Sequence, residues 1–353
     1  MLNRSQTWLK SNGLYTLFLI LLIMLPHIIG WLTGSSPFGT PRGTRMIMSG
    51  SSAYWMSILI DLFSVGILVM SYNLMFGFTG VVSFGHALFF GLGGYVGAMV
   101  MQQSGLPTDI AFIIGVIAAL GVCAVMGIAI GFASLRLKGV YFAIFTLAVS
   151  EIGYIFFSRW SVTGGEDGFN LSNVPTWLDA SQSRLNLYYL AMVLFALTFV
   201  FIRRLVNSPT GAVFKAIREN EARAQAIGFD TLRFKLLSIT VAGVLAGVAG
   251  LLQALMEKKI GPEMLSVGHT VDALLMTIIG GVGTFTGPIL GATGLTLADV
   301  LFRNATFTIG DTVVDVGQSW LLILGFIFVA VVLIFPYGIV GTWTLVWNRI
   351  RRK

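Results

Sequence analysis

Residues 110–134 read IAFIIGVIAALGVCAVMGIAIGFAS, and no charged side chain interrupts them. At 1.5 Å of rise per residue, about 20 residues cross the ~30 Å hydrocarbon core of a bilayer. This run is long enough to do so with a turn to spare. Similar apolar runs flank it at 86–101 and 140–157, and others follow at 14–32, 54–76, 187–206, 234–256, 271–282, 286–302 and 319–341. Short loops join them. The pattern predicts an all-α fold, a polytopic membrane helical bundle of about ten transmembrane helices. The runs at 271–282 and 286–302 are short and Gly-rich, so half-spanning elements are the alternative there. No low-complexity segment, long linker or soluble domain appears, and residues 1–353 read as a single transmembrane domain.

Composition agrees. Of the 353 residues, 56% are hydrophobic and 10% are charged, against about 25% charged in a soluble domain. The mean hydropathy is +0.86. The formal charge of +7 does not indicate nucleic acid, because the basic residues sit at the ends of apolar runs rather than in a patch interleaved with aromatics. The single cysteine, Cys123, lies inside an apolar run. It has no intrachain disulfide partner, and no Cys/His spacing of a metal site is present. Arg4 and Lys10 precede the apolar run Leu14–Leu25, as in a signal peptide. No clear cleavage site follows, so the run is expected to be retained as a first span.

Lysine and arginine set the orientation. A cytoplasmic N-terminus with ten crossings gathers Arg4, Lys10, Arg136, Lys138, Arg203, Arg204, Lys215, Arg218, Arg223, Arg233, Lys235, Arg349, Arg351, Arg352 and Lys353 on the cytoplasmic side. The other side keeps Arg42, Arg45, Arg159, Arg184, Lys258, Lys259 and Arg303. This bias places both termini in the cytoplasm.

The longest polar stretch on that inner side, 207–233, is the most informative. Ser208-Pro209 suits a helix start, residues 212–227 are rich in helix formers, and Gly228 stands where a terminator belongs. Glu219 and Arg223 stand four apart in the favourable orientation. Val213, Phe214, Ile217, Ala224 and Ile227 form one apolar face opposite a charged one. The expectation is one short surface helix.

The Glu-Ala-x-Ala…Gly pattern of Glu221, Ala222, Ala224 and Gly228 resembles the ATPase-coupling loop of ABC importer permeases. Further blocks, in chain order, are similar to branched-chain amino acid permeases of the LivM type. They are Gly80–Gly91 with Gly94-Tyr95, Arg136–Ala148 with Glu151-Ile152, Thr163–Gly168, Ala216–Glu221, Asp272–Met276, Gly280–Thr284 and Gly287-Pro288. The related urea and short-amide permeases share much of this pattern. Segment 33–53, rich in Ser, Gly and Thr, is longer than the family leads one to expect. The resemblance implies a non-catalytic permease subunit of an ATP-driven importer in a bacterial inner membrane, carrying branched-chain or other neutral amino acids. It implies a second related permease, two ATP-binding subunits that hold ATP and Mg, and an external substrate-binding protein as partners. The chain itself then needs no cofactor, and it has no P-loop Gly-x-x-x-x-Gly-Lys. Arg218, Glu219, Glu221, Ala222 and Gly228 are the coupling residues by this resemblance, within a loop at 207–233.

Polar groups inside spans supply the other candidates. Asp61, Glu151, Asp272 and Asp299 fall in or near apolar runs, and His86 opens one. Such groups are costly in lipid and face a partner or a wet cavity. His86, Glu151 and Asp272, together with the Gly-rich segment carrying Gly280, Gly281 and Gly283, are candidates for a translocation path or gate. For each acid, helix-to-helix bonding is the structural alternative. Intramembrane acids and broken helices also suit an ion-gradient-driven secondary transporter, the rival reading from another class. Paired catalytic residues facing one leaflet are absent, which argues against a membrane enzyme.

Overall fold

The computed structural model describes residues 20–42, 45–47, 50–134, 139–303, 306–309, 312–315, 320–335 and 338–343, with single positions at 13, 137 and 317. The basic flanks Arg4, Lys10, Arg136, Lys138, Arg349, Arg351, Arg352 and Lys353 lie outside the described residues, as does the start of the first run.

Among the described residues, ten apolar helices correspond to the ten runs. They are α1 (Ile20–Thr33), α2 (Ser51–Asn73), α3 (His86–Gln103), α4 (Thr108–Ser134), α5 (Val140–Arg159), α6 (Arg184–Val206), α9 (Thr231–Glu257), α10 (Val267–Gly280), α11 (Gly287–Phe302) and α12 (Trp320–Ile334). Two short polar helices, α7 (Pro209–Glu219) and α8 (Glu221–Ala226), separate α6 from α9. Among the described residues, five helices are long and apolar enough to cross a membrane by themselves: α2 with its π-helical extension to Phe78, α4, α5, α6 and α9. At 14 and 16 residues, α10 and α11 reach only about 21 and 24 Å, the shortness that the sequence suggested. The all-α bundle carries three small two-stranded ribbons in its loops: β1 (Thr40–Arg42) with β2 (Arg45–Ile47), β3 (Phe169–Asn170) with β4 (Lys259–Ile260), and β5 (Thr306–Ile309) with β6 (Thr312–Asp315), all antiparallel.

Lipid supplies no hydrophobic drive between helices, so close backbone approach must hold the bundle together. Its centre is the trio α3, α4 and α9. A Cβ at Gly93 of α3 would overlap the Gly247 backbone of α9, and one at Gly250 would overlap the Phe90 carbonyl. Cys123 of α4 is fully buried in the same crossing and donates its thiol to Phe89 O at 3.5 Å. Around this trio α2 packs on α9 and α6, where Ser64 Oγ donates to Ala249 O at 2.9 Å and Phe63 stacks on Phe195 at 5.3 Å. On the far side of α6, the Tyr188 hydroxyl donates to Leu22 O of α1 at 2.6 Å.

Two segments interrupt the helices inside the bundle. After the π turn Leu74–Phe78 the chain runs irregularly to His86, so α3 starts within the protein. Distant threonines hold its start: Phe84 N, just before the helix, donates to Thr146 Oγ1 at 3.1 Å, and Ala87 N in its first turn donates to Thr270 Oγ1 at 2.8 Å. After α9, residues 258–266 insert beside α3, with Ile260 and Leu265 fully buried, and α10 starts opposite the beginning of α3. Irregular backbone at such depth is tolerated where protein covers it, and here protein does.

Candidate functional site

The α7–α8 stretch is built from its caps. Ser208 accepts from Gly211 N at 3.4 Å with Pro209 following, and so starts α7. Val213, Ile217 and Ala224 are buried as a small separate cluster, while Phe214 is fully buried in the main core and stands edge-on to Phe234 of α9 at 6.4 Å. The expected single helix over 212–227 is not what forms. Asn220 adopts an extended backbone, φ −162° and ψ 100°, and its Oδ1 accepts from Arg223 N at 2.9 Å, capping a second helix. An Asn side chain competes with helical backbone bonds in this way, and it splits Glu219 and Arg223 between two helices. Ile227, read with Val213, Phe214, Ile217 and Ala224 as one apolar face, is 67% exposed. Gly228 sits at φ 96°, a conformation that favours glycine, and closes α8 through Gly228 N to Gln225 O at 2.9 Å.

Two ties fasten this stretch to the long helices. Glu221 turns towards its own chain: its carboxylate meets Lys235 Nζ of α9 at 2.6 Å and accepts from Thr231 Oγ1 at 3.2 Å. Gln225 Nε2 donates to the same Thr231 hydroxyl at 2.8 Å. On the other side, Arg218 Nη1 donates to Gly77 O in the π turn, and the arginine stem lies against Gly80. The guanidinium also occupies the space beside Gly283, whose φ of 76° bends the loop between α10 and α11. Asn73, 2% exposed, locks that loop to α2 with both ends of its amide: Nδ2 donates to Thr284 O and Oδ1 accepts from Gly283 N, each at 2.9 Å. Lys215, Glu219, Ala222, Arg223, Ala226 and Ile227 remain exposed.

The acids inside spans divide into two kinds. Asp61 of α2 accepts from Gln253 Nε2 of α9 at 3.0 Å, and Asp299 of α11 pairs with Arg303 at 2.9 Å. These serve helix-to-helix or same-helix bonding. Glu151 and Asp272 are exposed, on the neighbouring helices α5 and α10. Exposure to hydrocarbon at mid-span costs at least about 2.5–3.5 kcal/mol per charge. His86 is fully buried. Its Nε2 bonds Ser71 Oγ at 2.8 Å, its ring stands edge-on to Tyr72 at 5.4 Å, and its Nδ1 has no partner. Gly280 permits the tight α10–α11 turn, since a Cβ there would overlap Gly287 O, and Gly281 has φ 125°. The structure thus gathers Arg218 and Gly283 at one junction, and sets Glu151, Asp272 and His86 apart from it.

The family description "Branched-chain amino acid transport system / permease component" matches residues 54–333. The chain belongs to this family. It is 28% identical to the high-affinity branched-chain amino acid transport system permease protein LivM of Escherichia coli over 349 residues, covering 92% of this chain and 74% of that one. It is 24% identical over 292 residues to the high-affinity branched-chain amino acid transport system permease protein LivH of the same organism, with 78% and 90% covered. Among solved structures it is similar to one described as an inward-facing metal-chelate type ABC transporter, with 17% identity, a TM-score of 0.48, and 90% and 97% coverage. This chain is therefore a LivM-type ABC permease, a multi-pass membrane protein of amino acid transport.

At the opposite end of the permease, strands β3 and β4 join two distant loops beside Tyr95, whose ring stacks on Phe157 at 4.4 Å. Gly164, Gly165 and Gly168 have positive φ in the Thr163–Gly168 loop, which leaves Glu166 and Asp167 exposed. Asp179 and Arg184 are both used internally. Arg184 Nη1 donates to Ala53 O at 3.1 Å, and Lys258 Nζ bonds Asp179 at 2.9 Å. Burial pushes the Asp179 carboxyl up, but hydrogen bonds from Ser181 and Lys258 outweigh it and hold it below the ordinary carboxylate range. Among the described residues no group of three His, Cys, Asp or Glu is arranged to hold a metal. Sequence reasoning missed Asn73, Lys235 and the π turn. A polar Asn closing an apolar run, just before Gly77, was the available signal for the first.

Proposed function

We propose that this permease forms the membrane-spanning path of an ATP-driven importer for branched-chain or other neutral amino acids in a bacterial inner membrane. Residues 1–353 act as one transmembrane permease domain, and 207–233 is its cytoplasmic coupling loop. Both termini and the α7–α8 stretch lie in the cytoplasm. A second, related permease completes the path, two ATP-binding subunits hold ATP and Mg, and an external binding protein delivers substrate. The names of the Escherichia coli relatives, two permease proteins of one branched-chain amino acid system, support the substrate class and the paired permease.

The observation that carries the reading is the double attachment of α7–α8. The exposed surface at Ala222, Ala226 and Ile227 offers a partner a small-residue apolar contact. Behind it, Glu221–Lys235 connects to α9, and Arg218 connects to the π turn after α2 and to the α10–α11 loop. Closure of the ATPase pair on ATP would press on the exposed side and move both attachments. Arg218 and Glu221 are then transmitters, whereas Ala222 and Gly228 shape the contact. Glu151 and Asp272 face the path between the two permeases, with Gly280, Gly281 and Gly283 forming its inner turn and His86 a buried packing element beside it.

The test uses the purified complex in proteoliposomes. Ala222→Arg should strip the ATPase subunits from the complex. Glu221→Gln and Lys235→Met should leave them bound, with uptake falling about tenfold or more while ATP hydrolysis continues. Normal uptake by both tie variants refutes transmission through α9. Gradient-driven uptake by this chain alone refutes the importer reading.

A further inference from the structure

Two loops that are far apart in sequence meet at the outer end of the bundle. One is the α5–α6 connection, residues 160–183, and the other is the α9–α10 linker, residues 258–266. They are tied by the β3–β4 ribbon, by Leu171 N donating to Lys258 O at 2.8 Å, and by Lys258 Nζ against Asp179 Oδ1 at 2.9 Å. This junction is slight beside the helix crossings beneath it. A two-residue ribbon has little stability of its own, and its facing pair, Asn170 and Lys259, is exposed. The side turned to the protein is dry. Ile260 and Tyr95 are fully buried there, and the Tyr95 ring lies 4.4 Å from Phe157 and 6.2 Å from Phe169 of β3.

The joined arrangement carries two costs. The Tyr95 hydroxyl is buried and has no hydrogen-bond partner among the described residues, so it has given up the bonds that water would supply. Lys258 closes α9 at φ 57° and ψ 16°, in the left-handed region that favours glycine. Among the described residues it is the only non-glycine with positive φ. Parting the loops relieves both costs, because water then reaches Tyr95, and Leu171 and Asp179 no longer hold Lys258. Beyond the junction the linker runs into α10. Leu265 lies against Gly91 of α3, Thr270 Oγ1 accepts from Ala87 N, and the inner end of α10 leads to Gly283 beside Arg218. We propose that the two loops form a strap across the outer end of the path, closed in this structure and poised to open, with the Asn170–Lys259 pairing and the Lys258–Asp179 bridge as its latch. A weak latch set against stored cost is what a two-state element needs. The proposal rests on the importer reading above. It adds the element that gates the outer side and makes α10 its connection to the coupling stretch.

The test uses the full complex in proteoliposomes and has two arms. In the first, Asn170→Cys is combined with Lys259→Cys. Directly facing strand positions suit a disulfide, and the native Cys123 is buried and out of reach. Oxidation should lower ATP-driven uptake at least about tenfold, a reductant should restore it, and either single variant should be indifferent to oxidant. Full uptake through a completely crosslinked chain overturns the strap and leaves the importer reading standing. The second arm reads opening directly, by hydrogen–deuterium exchange of the Leu171 amide in a peptide covering 168–173, and does not depend on transport. Tyr95→Phe keeps the ring and removes the unpartnered hydroxyl, so it should favour the closed strap and slow exchange at least about fivefold. Asp179→Asn removes half of the latch and should speed it. A purely structural Tyr95 would give equal or faster exchange on losing its hydroxyl, and that result overturns the proposal. A wild-type complex without ATP-driven uptake would fail the importer reading, while the exchange arm still decides the strap.

Discussion

Asn73→Ala is the sharpest perturbation of the junction between α2 and the α10–α11 loop. The side chain is 2% exposed and makes two bonds of 2.9 Å, donating to Thr284 O and accepting from Gly283 N. Truncation leaves one buried acceptor and one donor without partners, each at about 1–3 kcal/mol. If the loop opens locally, that energy appears as lost protection of the Gly283 amide. A loss of 1–3 kcal/mol corresponds to exchange about 5–150-fold faster. Hydrogen–deuterium exchange on a peptide covering 281–287 reads it directly. Asn73→Asp separates the two bonds, because it keeps the oxygen that Gly283 N donates to and loses the donor to Thr284. Gly283 should therefore stay largely protected in the Asp variant and exchange fast in the Ala variant. Equal exchange in wild type and Asn73→Ala would refute the clamp, since the loop would then be held by something other than this amide.

Gly93→Ala should destabilise the α3–α9 crossing by about 1–3 kcal/mol, because the new methyl overlaps the Gly247 backbone. Thermal labelling of Cys123, buried in that crossing, should then begin at a lower temperature, and an unchanged profile would count against close packing there. Asp179→Asn should destabilise the β3–β4 end at neutral pH by removing the pair with Lys258. Because the folded carboxyl titrates below its ordinary value, its contribution is full above about pH 3.9 and fades as pH falls through the lower folded value. The difference in unfolding temperature between wild type and variant should therefore be flat near neutrality and shrink only in acid.

The spans were legible because lipid imposes a length and a composition on them, and among the described residues each apolar run carries a helix. What was not legible is where the helices stop short. α3 starts at His86 inside the bundle, where Thr270 accepts from a first-turn amide and Thr146 from Phe84 just before it, both threonines distant in sequence. No local pattern encodes a partner 183 residues away. The same holds for the insertion of 258–266, whose register is set by a two-residue ribbon with Phe169 and Asn170. The intramembrane acids were visible by composition alone, but their environments were not. Asp61 meets Gln253 of another helix, whereas Glu151 is exposed, with no hydrogen-bond or ion-pair partner among the described residues. Only the fold could sort them.

The surface helix shows the same limit more narrowly, and with a consequence for coupling. Propensity favoured one helix across 212–227, and one helix would move as a single rod. Asn220 instead places an extended residue between α7, which carries Arg218, and α8, which carries Glu221. The two ties therefore sit on separate short helices. A push on Ile227 at the end of α8 reaches α9 first, through Glu221 and Lys235. It reaches α2 and the α10–α11 loop only across the Asn220 bend, through Arg218. Straightening that bend should change how much of the motion each side receives. Asn220→Ala removes the cap on α8 and favours a continuous helix. It should leave both tie residues in place yet alter the ratio of uptake to ATP hydrolysis. A ratio identical to wild type would mean that α7 and α8 already move as one body.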